Sequence, residues 1–454
     1  MPLGDTGTIY PFATLQVPTY TESQELPLSL GIPLPEAWCT DARCLKIVDE
    51  QSQSIPASIE TSALWPDKSI RWCLAHMRPE FNGGKERTIG ISKCALDDGQ
   101  NPVPTSTLEE TNDYLLYSTP TRLFRIDKHR LNLVDVLDTQ SKPIALGFLS
   151  IRNDDGKESN GRVSAIAYRN RLTDSSTVDL EVSIQGVWEV AHQDKIKVDC
   201  QLIFSGTGNR LDCRVRIHNS AAALHTGGLW DLGDPSSFHF KDFSAGLRWL
   251  ESDTTSTGGF IRLDAESNRI DFSEHASAKQ LSSGGANWNS LNHVDATGTV
   301  QLKESGYRAT IDGAVFSGTR AEPQLTSRLN FFDQDARSDL WVTLIPRQFW
   351  QHFPTGVTGT QEEWSLQLFT AEQRPHELQP GEAKTRRFSL LFSNREPSHA
   401  TTPRVAFSYS PEHISRCQLP ELGVLTATDD RVNQLVQGAI YGEDSFFAKR
   451  EVID

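Results

Sequence analysis

The chain has 454 residues and a formal net charge of −15, with 44 Lys and Arg against 59 Asp and Glu. So acidic a chain argues against nucleic acid or an anionic membrane as its main partner, and an acidic ligand would need a local basic pocket. The length predicts two or three domains, each large enough for its own hydrophobic core.

The cysteines and the N-terminal sequence bear on the cellular compartment. An odd number of scattered cysteines predicts reduced thiols rather than a disulfide framework, and their spacing completes no zinc pattern. The opening stretch lacks the basic and apolar segments of a secretory signal, and no apolar run approaches membrane-spanning length. We therefore expect a cytoplasmic protein without a membrane partner, although a secreted chain trimmed of its signal would have the same sequence. The cysteines are Cys39, Cys44, Cys73, Cys94, Cys200, Cys213 and Cys417.

Residues 1–104 carry short β-rich segments, separated by Pro, Gly and Asp at roughly ten-residue spacing, as in all-β barrels. The segments LPLSLGIPLP, CLKIVD and SIRWCLAHM are examples. Trp65 and Trp72 flank a short hairpin, where such residues usually pack in the core. This region predicts a small β-barrel that ends in the Pro-rich linker 101–112.

The strand pattern resumes and continues through residues 105–400. Segments such as TVDLEVSIQGVWEV, RLDCRVRIHN and RRFSLLFS alternate apolar and polar residues, and no stretch keeps a helical period for long. So many strands in one span predict a large two-sheet β-sandwich. Within it, FWQHFP at 349–354 holds His352 and is interpreted as core, and LQPGEAKT at 378–385 as a structural turn.

The pattern changes after residue 400. Asp429 and Asp430 are good helix-start residues, and Val432, Leu435 and Ile440 follow at helical spacing. An amphipathic helix at the end of a chain has nothing to bury against. We therefore interpret residues 401–454 as a linker and the first helix of a helical domain that this chain does not contain.

The stretch 225–239, HTGGLWDLGDPSSFH, reads as a loop because Gly and Pro break any helix or long strand. Loops on a rigid scaffold often carry functional sites. The residues equally fit a loop folded back on its own sheet with Trp230 as its plug. The candidate site residues here are His225, Trp230, Asp231, Asp234, Ser236 and His239.

A second loop of similar character covers 282–293, SSGGANWNSLNH, and is followed by Tyr307 and Arg308. Amide-rich loops with an aromatic ring suit sugars, because rings stack on Trp and hydroxyls need directional donors and acceptors. The alternative is a turn cluster whose side chains bond their own backbone. The candidate site residues here are Asn287, Trp288, Asn292 and His293.

The motif content restricts the chemistry. The sequence shows no nucleophile elbow, P-loop, dinucleotide fingerprint or zincin motif, so we predict no cofactor. Spacing indicates no metal site, although Asp231 and Asp234 leave room for a hard cation such as calcium. Hydrolysis of a glycosidic bond needs two facing carboxylates, for which Asp231, Asp234 and Asp242 are the candidates.

The His, Tyr and Arg residues suit β-elimination at a uronic acid better. This reaction needs a base for the C5 proton, a cation or donor that stabilises the enolate-like charge, and an acid for the leaving oxygen. These roles would fall to four residues if the two loops converge. The predicted catalytic residues are His225, His293, Tyr307 and Arg308.

The motifs LGIPLPEAW, WPDKSIRW, HTGGLWDLGDPSS, SSGGANWNSLNH, FWQHFP and LQPGEAKT, in this order, resemble the YetA-like group of exo-rhamnogalacturonan lyases. The resemblance implies a RIFT-type N-terminal barrel, a central β-sandwich and a C-terminal α/α toroid that begins near residue 405. It also implies an acidic polysaccharide or oligosaccharide as partner, a cleft to which both loops contribute, and a missing C-terminal helical domain.

Three hypotheses follow. The first is a polysaccharide lyase, or its N-terminal portion, acting on a rhamnose–uronate polymer such as rhamnogalacturonan. The second is a non-catalytic glycan-binding β protein that uses Trp230 and Trp288 as stacking platforms. The third is a glycoside hydrolase that uses the aspartates.

Overall fold

A computed structural model gives the architecture of the chain. The residues it describes are 9–16, 24–25, 27–81, 86–94, 105–153, 155–159, 161–173, 178–190, 193–224, 234–250, 255–264, 268–290, 302–333, 336–371, 375–397, 405–418, 434–435 and 438. Most of them lie in strands, which confirms the prediction of a mainly β fold. The chain divides into two compact units, of which the first holds 1–105, 170–179 and 401–438 and the second holds the remainder.

The first unit is built from short strands, as the segment spacing predicts. Ile47, Ile89 and Ile91 lie on its buried faces without solvent exposure, each worth about 1.5–3 kcal/mol of apolar burial. Trp65 and Trp72, predicted as core, are half-buried instead. The strands are β1 Ile9–Gln16, β2 Gln24–Glu25, β3 Leu28–Pro33, β4 Leu45–Asp49, β5 Ser54–Ile55, β6 Ala57–Leu64, β7 Ile70–Met77, β8 Glu80–Phe81 and β9 Arg87–Lys93.

These strands form small antiparallel sheets. One sheet contains β1, β9, β4 and β5 in that spatial order, and a second contains β3, β7 and β6. Side chains from both sheets share one hydrophobic core. The RIFT-type assignment of this unit remains a prediction.

The second unit contains the remaining long strands. They are β10 Thr107–Glu110, β11 Tyr114–Ser118, β12 Leu123–Asp127, β13 Asp135–Leu137, β14 Pro143–Arg152, β15 Glu158–Ser159, β16 Gly161–Thr173, β17 Val178–Val190, β18 Gln193–Phe204, β19 Arg210–Asn219, β20 Phe238–Phe240, β21 Asp242–Trp249, β22 Thr255–Arg262, β23 Ile270–Phe272, β24 His275–Gln280, β25 Tyr307–Ile311, β26 Ala314–Gly318, β27 Gln324–Asp333, β28 Ala336–Pro346, β29 Thr355–Thr360, β30 Glu363–Phe369, β31 His376–Leu378 and β32 Ala383–Ser393.

Two large sheets of this unit face each other as a β-sandwich. The 12-stranded sheet runs β10-β11-β12-β13-β14-β21-β30-β29-β24-β25-β26, with β15 beside β14, and the 9-stranded sheet runs β16-β17-β18-β19-β32-β28-β27-β22-β23. Aromatic contacts join the two sheets, since the ring centroids of Trp188 and Phe243 lie 5.4 Å apart and those of Phe124 and Phe204 lie 5.1 Å apart. Alternation along the strands supplies the apolar face that each sheet buries. In β19, for example, every second residue is buried, among them Cys213, Val215 and Ile217.

The first unit also takes in residues 170–179, which include the last residues of β16 and the first residues of β17. Asp179 makes a buried ion pair there with Arg78. Arg171 donates to Ser29 Oγ at 2.7 Å and contacts His76 Nδ1 at 3.2 Å. Charged side chains therefore hold the end of β16 and the start of β17 within the first unit.

Residues 405–418, predicted as linker, form regular structure in the first unit. Strand β33, Ala406–Tyr409, pairs with β1, and helix α1, Pro411–Cys417, follows it. The Ser410 side chain caps the helix by accepting from the His413 backbone N–H at 3.3 Å. The His413 ring lies 2.8 Å from the Pro33 carbonyl oxygen. Two elements thus return the chain to its N-terminal unit.

The helix predicted from Asp429 falls largely outside the described residues. Residues 434–435 and 438 are helical, and Leu435 is exposed. The assignment of this region to an α/α toroid remains a prediction. No helix of the described residues is long and apolar enough to cross a membrane. None of the seven cysteines, all of which lie in the described residues, forms a disulfide.

Candidate functional site

Both predicted loops belong to the same end of the sandwich, since the second connects β24 and β25 of the 12-stranded sheet and the first connects β19 of the facing sheet to β20, which precedes β21. In the register of the 12-stranded sheet Phe243 pairs with Phe369, Thr355 pairs with Gln280, and Gln280 pairs with Tyr307. The first residues of β21, β29 and β25 therefore lie level with the last residues of β30 and β24. We call this end of the sandwich, where these strands begin or finish, the loop end. Strands lie about 4.8 Å apart, so β21 and β25 are separated by about 19 Å.

Five of the predicted site residues lie outside the described residues, so their positions remain predictions. They are His225, Trp230, Asp231, Asn292 and His293.

Asp234 closes the first loop by hydrogen bonding to the backbone. Its Oδ2 accepts from the Leu224 N–H at 2.8 Å, and its Oδ1 accepts from the Ser236 N–H at 2.8 Å. The residue is almost fully buried. Both carboxylate oxygens thus hold the loop ends together, which is a structural role.

Ser236 and His239 follow in the same segment. The Ser236 carbonyl accepts from the Asn219 side chain at 2.9 Å, and the same amide group donates to the Leu378 carbonyl at 2.9 Å. His239 is the central residue of β20, opposite Glu377 of β31, and it is exposed. It is therefore accessible to a ligand at this side of the loop end.

The second loop rests on a buried amide. Gln280 donates to the carbonyls of Ser282 and Thr319 at 2.6 and 2.9 Å, and its Oε1 accepts from the Ala321 N–H at 3.0 Å. Ser282 Oγ accepts from the Gly306 N–H at 2.8 Å. This network fixes where the loop departs from β24 and where it returns to β25.

Asn287 and Trp288 lie on the turn that this network supports. The Trp288 N–H donates to the Gly285 carbonyl at 3.3 Å, and the Ser290 N–H donates to the Asn287 carbonyl at 2.9 Å. Asn287 is exposed and Trp288 is half-buried. An indole in this position presents part of its surface to solvent, as a stacking platform requires.

Tyr307 faces the interior at the start of β25. A Cβ on Gly318 would lie 2.6 Å from its ring, so the tyrosine needs glycine at that position. Burial, with a smaller effect from Asp264, raises the pKa of the Tyr307 hydroxyl. The hydroxyl therefore stays protonated near neutral pH and can donate a proton or a hydrogen bond.

The structure does not bring Arg308 together with Tyr307, although both were predicted to be catalytic. Successive strand residues point to opposite faces, and Arg308 is exposed while Tyr307 is half-buried. Arg308 pairs with Glu304 at 3.3 Å and lies opposite Lys279. Its side chain belongs to the outer face of the sheet.

His352 and Arg386 are the functional candidates that the sequence interpretation missed. The Arg386 guanidinium donates to the carbonyls of Leu368 and His352 at 3.3 and 3.4 Å and lies 4.7 Å from the Phe369 ring centroid. It contacts no carboxylate among the described residues. Burial lowers its pKa to about 10, so it is charged at pH 7.

The His352 side chain is half-buried beside this cation. Burial lowers the pKa of its imidazole to about 4, with further contributions from Arg386, Arg387 and Lys384. The ring is therefore neutral at pH 7. Within the described part of the chain its ring nitrogens make no hydrogen bond, so they are available to a ligand.

Contacts through neighbouring residues connect the surroundings of His352 and Arg386 to both predicted loops. The Arg320 guanidinium lies 4.1 Å from the Trp350 ring centroid, which links the Gln280 network to the turn that carries His352. The Phe369 ring that contacts Arg386 also meets Phe240 at 5.2 Å, next to His239. Among its described residues the loop end thus carries a cation without a carboxylate partner, a neutral imidazole, a protonated phenol and an exposed imidazole.

Two further observations bear on hydrolysis by aspartates and on metal binding at the site. Asp242 is buried at the start of β21 and forms an ion pair with Arg152. Among the described residues no group of three His, Cys, Asp or Glu side chains could hold a metal ion.

Comparisons with known proteins add little about function. No family model matches the chain, and no curated protein matches it. An alpha-mannosidase from Enterococcus faecalis V583 is similar at 7% identity and a TM-score of 0.37, covering 88% of this chain and 46% of that one. A TPR-domain containing protein from Parabacteroides distasonis ATCC 8503 reaches 9% identity and a TM-score of 0.30, covering 86% and 56%.

A galactose mutarotase related enzyme from Lactobacillus acidophilus reaches 8% identity and a TM-score of 0.24, covering 65% of this chain and 99% of that one. The chain spans about half the length of the alpha-mannosidase and of a second Enterococcus faecalis protein of glycosyl hydrolase family 38, which it covers to 47%. Similarity at these TM-scores carries no argument about activity. The chemistry of this chain is therefore argued from the residues of the loop end.

Proposed function

We propose that this chain is a carbohydrate-active protein that binds an acidic saccharide at the loop end and cleaves it by β-elimination, alone or as the N-terminal portion of a longer lyase. The observation that carries the proposal is a largely desolvated guanidinium, Arg386, beside His352, whose imidazole is neutral at pH 7. A guanidinium that has no carboxylate partner among the described residues, in a chain of net charge −15, is a local basic site of the kind an acidic ligand needs.

Arg386 would bind the uronate carboxylate and neutralise its charge, which acidifies the C5 proton. A neutral imidazole then removes that proton, and the electron pair forms the C4–C5 double bond. The C4–O4 bond breaks, and the leaving oxygen takes a proton from an acid. Tyr307, whose hydroxyl stays protonated, is the described residue suited to that last step.

Arg386 donates to the backbone carbonyl of His352, and its charge contributes to the lowered pKa of the His352 imidazole. Its pKa of about 4 makes it a weak base in the free protein. A bound carboxylate would offset the cations beside it, which raises the pKa toward the working pH. His225 and His293 remain the bases predicted from the sequence, and the test below includes all three.

The saccharide proposed is a rhamnose–uronate polymer such as rhamnogalacturonan, which rests on the resemblance of the loop motifs. Trp288, half-buried on its turn, would stack on a sugar ring, with Asn287 and His239 beside it as polar contacts. The hydrolase hypothesis has less support, because Asp234 and Asp242 are both engaged in structural pairings.

The test is the ultraviolet absorbance of unsaturated uronate during incubation with rhamnogalacturonan-type and ulvan-type polymers. We expect a rising signal with the wild-type chain and a loss of about 100-fold or more in Arg386→Gln. His352→Asn, His225→Asn and His293→Asn identify the base, and His129→Asn, which alters an exposed histidine of the same unit, is the matched control.

Full activity in Arg386→Gln would contradict the proposed carboxylate site. Binding of the polymer without any unsaturated product, in this chain and in a longer one with further C-terminal sequence, would instead show a recognition module.

A further inference from the structure

A polar cavity of about 150 Å³ lies at the end of the sandwich opposite the loop end. It is bounded by the start of β12, the start of β28 and the end of β32. The cavity and the loop end lie at opposite ends of the strands. In the pairing of β14 with β21, Ala145 and Trp249 lie at the cavity end, and Arg152 and Asp242 lie at the loop end. The volume corresponds to about five water molecules, so it can hold a small molecule.

Within the described part of the chain, Arg122 is the charged residue lining this cavity that has no counter-ion. Its side chain is almost fully buried, with 4% exposure. The guanidinium donates to Asn394 Oδ1 and to Thr121 Oγ1, both at 3.4 Å, and lies 5.0 Å from the Phe392 ring centroid. These two long hydrogen bonds use few of its five N–H donors.

The other buried arginines of the described chain have carboxylate partners. Arg78 pairs with Asp179, and Arg210 pairs with Asp212 at 2.9 Å. Arg122 contacts no carboxylate in the described part of the chain. Burial lowers its pKa to about 10, so it carries its charge at pH 7. A buried charge without a counter-ion is costly, which favours an anion beside it.

The two acidic residues that line the cavity are occupied elsewhere. Asp339 pairs with Arg328 at 2.7 Å. Asp138 Oδ1 accepts from the backbone N–H groups of Gln140 and Lys142 at 2.9 and 2.8 Å. The remaining polar lining is neutral and offers hydroxyl and amide groups, from Thr121, Thr139, Ser338 and Asn394.

We propose that this cavity binds one small monocarboxylate, with Arg122 as its anchor. A planar guanidinium matches a carboxylate with two parallel hydrogen bonds, and the neutral hydroxyl and amide groups around it suit the rest of a short polar ligand. The site is independent of the proposed lyase chemistry, because it shares no residue with the loop end.

The experiment is calorimetric titration of the full chain with acetate, galacturonate, neutral galactose and inorganic phosphate. We expect saturable binding of acetate or galacturonate and none of galactose. Arg122→Gln should weaken this binding at least about tenfold, which corresponds to one lost charge-assisted contact. Arg130→Gln, which alters an exposed arginine of the same unit, should bind as the wild type does.

Ser338→Leu provides a second variant, because it fills the cavity and keeps Arg122. In a chain that also carries Arg386→Gln, which removes the carboxylate site proposed at the loop end, Ser338→Leu should abolish the binding of both carboxylates. Ser338→Leu alone should retain the loop-end activity, and both readouts apply even if Arg122→Gln does not fold. Absence of saturable binding of either carboxylate by the wild type up to about 50 mM would overturn the proposal. Phosphate binding as tight as that of the carboxylates, or carboxylate binding retained when Ser338→Leu is combined with Arg386→Gln, would overturn it as well.

Discussion

Burial of His352 couples the stability of the sandwich to pH. The pKa of the imidazole is about 4 in the folded chain and about 6.5 when unperturbed. Between these values the unfolded state binds more protons than the folded state, so the contribution of this residue is complete above pH 6.5 and is lost as the pH falls toward 4. The free energy of unfolding of the wild type should therefore fall over this range more steeply than that of His352→Asn.

Urea denaturation at several pH values measures this difference. Gln351→Asn is the matched control, since it changes the same turn without a titrating group. If the free energies of unfolding of the wild type and of His352→Asn change in parallel from pH 7 to pH 4, the folded chain does not lower the pKa of this imidazole.

The contact between Tyr307 and Gly318 gives a second prediction. A methyl group on Gly318 would lie 2.6 Å from the ring and must displace it. We expect Gly318→Ala to cost about 1–3 kcal/mol of stability, as overpacking usually does, and to reduce lyase turnover more than substrate binding. Ser317→Ala on the same strand should change neither quantity. Denaturation and initial rates of unsaturated product measure both, and normal turnover in Gly318→Ala would remove Tyr307 from the proposed chemistry.

Among the elements, the second loop depends most on one side chain. Gln280→Leu would leave the Ala321 N–H and the carbonyls of Ser282 and Thr319 without their partner in a buried place. Each such group costs about 1–3 kcal/mol, so we expect a loss of at least about 2 kcal/mol in urea denaturation. Lys279→Ala alters the exposed neighbour on the opposite face and should stay within about 0.5 kcal/mol of the wild type. Equal stability of the two variants would contradict the role given to Gln280.

Strand alternation explains which functional residues the sequence could have indicated. Arg386 shares the inward face of β32 with Phe388 and Leu390, so a cation on an apolar face was visible in RRFSLLF. The same rule separates Arg308 from Tyr307. Asp234 carried no such signal, because a carboxylate that closes a turn and one that meets a ligand have the same sequence pattern.

The short elements show the opposite limit. Strand β33 carries no alternation of burial, and its partner β1 lies some 390 residues earlier in the chain. Only this long-range pairing makes it a strand, so local patterns could not predict it. The long strands, such as β19, were predictable because apolar and polar residues alternate within each strand and so define its buried face locally.

For the chain as a whole, two electrostatic effects act on an acidic polymer. The net charge of −15 repels it at long range, while Arg386 attracts one carboxylate at short range from a partly desolvated position. Salt screens the long-range part first, because the Debye length falls to about 10 Å at 0.1 M. We therefore expect binding of a long rhamnogalacturonan to strengthen between about 10 and 150 mM NaCl, and binding of a short uronate oligosaccharide to change little or weaken.

Titration of both ligands at the two salt concentrations measures this contrast. Arg386→Gln supplies the control, since it should remove the short-range attraction and leave the salt response of the polymer unchanged in direction. Polymer binding that weakens steadily with salt would mean that a basic surface outside the loop end dominates recognition. In that case the acidic balance of the chain would be a poor guide to where its partner binds, and the proposed site would have to be sought on that surface.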